Sequence, residues 1–184
     1  MKTFIKLSRI IILLILIGAC QGPEGPPGKD GNANVQTYIF NNPSWDNSHR
    51  SITIEMNGIL TKEVIKNDVI LVYIKHKAAD YVSLLPATVW CQSHGVFREY
   101  SCDVIPNFLE IISFELDGSR TLYSELAPVD WVKVVIIESS NVSTYSGNSN
   151  KPSSSKQALL DKLEKDGVDI NNYYDVCVYF GIEP

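Results

Sequence analysis

"WVKVVII", residues 131–137, has no polar side. Successive side chains of a strand point to opposite faces, so Trp131, Val135 and Ile137 share one face with a single Lys133, and Val132, Val134 and Ile136 share the other. A strand that is apolar at both parities reads as a central strand covered on both sides. "VILVYI", residues 69–74, has the same character. Elsewhere the alternation is one-sided: in "SITIEM" (51–56) Ile52, Ile54 and Met56 fall together against Thr53 and Glu55, and in "LEIISFEL" (109–116) Ile112, Phe114 and Leu116 share a face. With "VQTYIF" (35–40), "YVSLLPATVW" (81–90) and "GVFREYSC" (95–102) the chain offers about seven strands, separated by turn-rich segments such as "NNPSWDNSHR" and "LDGSR". Many short strands punctuated in this way predict an all-β fold, a β-sandwich.

Helical signals are confined to two places. Asn57-Gly58 carries a two-residue hairpin signature, yet Leu60 to Asp68 reads better as a short helical turn capped by Thr61. Near the C-terminus, Ser154-Ser155-Lys156-Gln157 matches a capping box, Leu159, Leu160 and Leu163 mark one helix face, and Gly167 ends it. Tyr173, Val176, Cys177 and Phe180 then recur at helical spacing. These short C-terminal α-helices are expected to cover an edge or an open end of the sandwich.

Residues 35–184 are enough for one domain with one core, and the segment before them is of another kind. Lys2, Lys6 and Arg9 precede the apolar run Ile10 to Ala19, which is the composition of a secretory signal. A bilayer span needs about 20 apolar residues, so the run is read as a removable signal. Ile17-Gly18-Ala19-Cys20 resembles a bacterial lipobox, which implies cleavage behind Ala19 and acylation of Cys20; ordinary cleavage to a soluble product is the alternative. Loss of residues 1–19 leaves 13 Lys and Arg against 21 Asp and Glu, a net charge of −8. Nucleic-acid binding needs clustered Lys and Arg, and no such cluster occurs.

Four triplets follow, beginning at Gly22, Gly25, Gly28 and Gly31. Glycine at every third position is what a collagen helix requires, and a short trimerising stalk is one reading. The simpler one is a partly polyproline spacer that, at about 3.1 Å per residue, holds a single-chain domain up to about 40 Å from the lipid surface. The expected organisation is therefore a signal peptide at 1–19, a lipidated cysteine and Gly-x-y tether at 20–34, a sandwich at 35–146, and a serine-rich connection with helices packed on the sandwich at 147–184.

The lipobox cysteine, the Gly-x-y triplets and the "GNANV" junction (31–35), together with "VILVYIKH" (69–76), "LLP" (84–86), "WVKVVIIES" (131–139) and "NYYDVCVYFGI" (172–182), resemble collagen-like outer-membrane lipoproteins of certain Gram-negative bacteria. Such proteins carry one β-rich domain of unassigned function behind a Gly-x-y tether. The resemblance covers nearly all of the chain after the signal, with a longer serine-rich segment at 147–155. It implies an outer-membrane address, lipid as a partner through Cys20, and no catalytic signature.

The residues themselves point the same way. His49 lies in a turn, His76 at the end of a central strand and His94 in the turn "QSHG", and no H-E-x-x-H, G-x-S-x-G or G-x-x-x-x-G-K occurs. Cys91 and His94 form a lone C-x-x-H, half of a metal site or a formal nucleophile and base, without the partners that either chemistry needs. A buried cysteine beside a polar turn is the plainer reading, and neither a metal nor another cofactor is expected. With the hairpin centred on Ser93-His94-Gly95, Cys91 faces Phe97 and Cys102 lies on the opposite face, too far away for a disulfide.

Of the tryptophans, Trp90 and Trp131 sit at strand ends and Trp45 in the polar loop "NPSWDN". Trp45 either joins a sugar-binding face, with Asn and Asp beside it, or folds back over the end of the sandwich. The expectation is a non-enzymatic binding or structural role at the cell envelope, with a glycan or an envelope protein as partner; an envelope hydrolase with an unrecognised site is the alternative.

Overall fold

The computed structural model describes residues 34–46, 48–77, 79, 81–91, 95–119, 121, 126–139 and 155–184. The expectations for the signal, Cys20, the tether, His94 and Ser154 lie outside the described residues.

Among the described residues eight strands form two antiparallel four-stranded sheets. β1 (Val35–Asn41), β8 (Val129–Ile137), β3 (Val69–His76) and β4 (Ser83–Leu84) make the first in that spatial order, and β2 (Ser51–Glu55), β7 (Phe108–Phe114), β6 (Val96–Ile105) and β5 (Ala87–Cys91) make the second. The fold is an all-β sandwich with short helices. Its inner faces meet through Val72, Ile74, Val132, Val134 and Ile136 from the first sheet and Ile52, Ile54, Leu109, Ile111, Val89 and Tyr100 from the second. Burial of one such aliphatic side chain stabilises the fold by about 1.5–3 kcal/mol.

The two-faced strands β3 and β8 are indeed central, paired with each other along Val69↔Ile137 to Ile74↔Val132. Their second face, Val69, Leu71, Tyr73, Val135 and Ile137, is buried by helices. These are α2 (Ser155–Lys165) and α3 (Tyr173–Phe180). Leu159 and Leu163 of α2, and Tyr173, Val176, Cys177 and Phe180 of α3, form this second core with the strands. The helices thus cover the flat outer face of the first sheet, and the expectation of an edge or open end is corrected. That face is apolar along both β3 and β8, and burying it is worth more than shielding an edge.

Gly167 stops its helix as the residues predict, and Gly181 does the same for α3. Gly167 takes φ +77 after α2 and Gly181 takes φ +65 after α3, the left-handed conformation that glycine adopts without a Cβ clash. α1 (Lys62–Asn67) is capped by Thr61, whose hydroxyl accepts a hydrogen bond from the Val64 amide at 3.2 Å.

Two readings change, and in β7 the face that Ile112 and Phe114 share is the outer one. "YVSLLPATVW" is two strands, because the chain turns at Leu85-Pro86 and passes from the first sheet, as β4, to the second, as β5. Proline cannot donate to a ladder, and here it marks the corner. In β7 the core-facing set is Leu109, Ile111 and Ser113, while Ile112 and Phe114 lie on the other face. The β5–β6 hairpin pairs Cys91 with Val96 and Trp90 with Phe97, one residue from the expected register. Cys102 therefore shares the inward face with Cys91 instead of opposing it, but six residues of strand, about 20 Å, separate the two, and no disulfide joins them.

Candidate functional site

Trp45 is half-buried, and its indole Nε1 donates to the Ala127 carbonyl at 2.9 Å. Its ring lies 6.2 Å from that of Tyr100, so it folds back over the end of the sandwich. His76, 6% exposed, packs 4.8 Å from Tyr100 on the other side. Burial lowers its pKa to about 4, an effect the nearby Pro128 carbonyl partly offsets. Neither ring nitrogen has a hydrogen-bond partner among the described residues. Burial likewise pushes the Tyr100 phenol up to about 12. The end of the sandwich is a closed aromatic plug with a neutral histidine inside it.

The other chemical candidates are scattered. His49 is exposed, 3.4 Å from Asp46, within its own loop; the Ser48 hydroxyl, hydrogen-bonded to Asp46, is the main reason that carboxyl sits at about 2. Cys91 is buried beside Arg98, a fully buried side chain paired with Glu115 at 3.0 Å. Trp131 lies half-buried against Tyr173, 5.5 Å between rings. Lys133 donates to the hydroxyl of Tyr173 and, at 2.7 Å, to the Glu183 carbonyl, which pins the C-terminal end to β8. Among the described residues no group of three or more His, Cys, Asp or Glu is placed to hold a metal ion.

Trp90 alone of the three tryptophans faces outward, and it is joined to a band that the sequence did not reveal. Because Val89 and Cys91 point into the core, Trp90 must point out, and so must Phe97, its partner on β6. The two rings meet at 4.8 Å, edge to face. The Tyr81 hydroxyl donates to the Trp90 carbonyl at 3.3 Å. Tyr81 in turn shares with Tyr174 a cavity of about 370 Å³, floored by Tyr173 and bordered by Asp169, Asn171 and Asn172. Tyr81, Trp90, Phe97 and Tyr174 are 44, 45, 50 and 57% exposed. Around the corner on β5, Thr88, Glu99 and Phe114 line a groove of about 550 Å³.

The polar border is ordered from within. The Asp169 carboxylate accepts from the backbone and side-chain nitrogens of Asn171 at 2.9 and 3.1 Å. Asn172 caps α3, its side-chain oxygen accepting from the Tyr174 amide at 3.1 Å, which leaves its amide nitrogen without a bond among the described residues. The described lining of the two cavities contains no Lys or Arg. One part of the band was legible in principle: with Tyr173, Val176, Cys177 and Phe180 facing in, Tyr174 has to face out. Tyr81 and Phe97 carried no such signal, since their placement depends on the corner at Pro86 and on the hairpin register.

Comparison with family models, with curated proteins and with solved structures finds no match to this chain. Among the described residues no helix is long and apolar enough to cross a membrane.

Proposed function

We propose that the chain is an envelope lipoprotein of the collagen-like kind, anchored in the outer membrane through acylated Cys20, whose Gly-x-y tract spaces a sandwich that binds a partner without transforming it. The observation that carries this reading is the aromatic band. Monomeric proteins rarely expose large contiguous apolar patches unless a surface is used for contact, and here Trp90 and Phe97 pack ring on ring at the surface, with Tyr81 bonded to the Trp90 backbone and sharing a cavity with Tyr174. Aromatic residues with a polar tip combine contact area with hydrogen bonding, which suits recognition.

The alternative, a hydrolase, needs a nucleophile, a base and a charge-stabilising group converging on one cavity. Glycoside cleavage in its usual form needs two carboxylates flanking the bond, whereas the described lining of each cavity has one, Glu99 or Asp169. Cys91 and His76 are walled into the interior. A turnover screen of the purified protein against glycosides, esters and peptides tests the reading. No product is expected; turnover lost in Cys91→Ala or His94→Ala would establish the hydrolase instead.

A further inference from the structure

The band has the chemistry of a platform for one class of ligand, and we infer that it binds a neutral, linear glycan. This rests on the binding reading above and names its ligand class. A pyranose presents an apolar C–H face and a rim of hydroxyls, so its receptor needs a flat ring beneath and short polar groups at the side. Tyr174, Tyr81, Trp90 and Phe97 supply rings that follow one another from α3 through the segment before β4 to β5 and β6. At one end, Asn172 and Asp169 line the cavity shared by Tyr81 and Tyr174, and the Asn172 amide nitrogen and the second Asp169 carboxylate oxygen make no hydrogen bond among the described residues. At the other, Thr88 and Glu99, on the same sheet face as Trp90 and Phe97, line the second groove. Volumes of about 370 and 550 Å³ are of the size that holds one or a few small ring units.

Charge selects within the class. The only ionic groups in the described lining are the carboxylates Glu99 and Asp169, with no cation to neutralise a uronate, sulfate or phosphate. An acidic glycan or a nucleic-acid strand would meet like charge. A neutral chain meets hydrogen-bond acceptors instead. Because the rings form a row, affinity rises with chain length until the row is filled.

Isothermal titration of the full mature chain in detergent with cellohexaose, xylohexaose and the β-1,4-linked N-acetylglucosamine hexamer, alongside a neutral glycan array, tests the inference. Saturable binding to at least one neutral glycan is expected, stronger for hexamers than dimers and insensitive to salt. Trp90→Ala and Tyr174→Ala, both at exposed positions, should each weaken it about tenfold or more, while Trp45→Ala leaves it unchanged. Absence of binding across the array, or binding that both band substitutions leave intact, overturns the inference. Capture of a protein partner through Trp90 without any glycan binding would also overturn it and leave the binding reading standing. Release of shortened sugars would overturn both.

Discussion

At the scale of the single residue, burial decides what His76 does. An imidazole shut between Tyr100 and the end of β3 cannot be hydrated, so its pKa falls to about 4 from about 6.5 in the unfolded chain. Between those values the unfolded state holds the extra proton, and acid therefore favours unfolding. The stability tied to the neutral ring is fully present above about pH 6.5 and is lost as the pH falls towards 4, amounting to about 3 kcal/mol at 1.36 kcal/mol per unit. Urea unfolding at pH 7 and at pH 4.5 should show a steep loss that His76→Leu largely removes. Equal losses in both proteins would assign the acid sensitivity to other groups. The sequence placed His76 correctly at a strand end but not inside a plug, because the rings that enclose it come from other strands and a loop.

Elements follow from who covers whom. The first sheet is apolar on both faces and requires α2 and α3 over its outer side, with Leu163 at their centre. Leu163→Ala should cost about 2–5 kcal/mol by chemical denaturation, against under about 0.5 kcal/mol for Val178→Ala on the exposed side of α3. The expected split between a sandwich at 35–146 and an added helical segment thus marks a change of element type across one continuous packing unit. The second sheet is different: its outer face, alternating with the core set, carries Glu55, Glu99, Asp103 and Glu110 and no Lys or Arg from its four strands. Asp103 and Glu110 sit directly opposite each other, and like charges in that position destabilise a sheet. Asp103→Lys should therefore raise stability by about 0.5 kcal/mol at low salt, and the gain should shrink in 1 M salt. A melting temperature that falls on substitution would show the pair to be compensated.

For the whole molecule, the proposed anchor and the proposed band have separate roles, one to hold the domain at the membrane and the other to bind a partner. Cys20→Ala should move the protein from the membrane fraction to a soluble or uncleaved form, and unchanged fractionation would remove lipid from the account. What the residues determined by themselves was local: the two-faced strands, the Thr61 cap, the Gly167 stop and the four inward positions of α3. Periodicity and capping act over a turn or a few residues, so their reading does not depend on the rest of the chain. What only the tertiary structure decided was relational. It split residues 81–90 between two sheets at Pro86, shifted the hairpin to pair Trp90 with Phe97, turned Trp45 inward, and laid the C-terminal helices over a face instead of an edge. Each of those outcomes depends on contacts between segments far apart in the chain, where burying one more apolar face outweighs any local preference. The aromatic band follows from the corner, the hairpin register and the seat of the helices, and for that reason no single stretch of the sequence announces it.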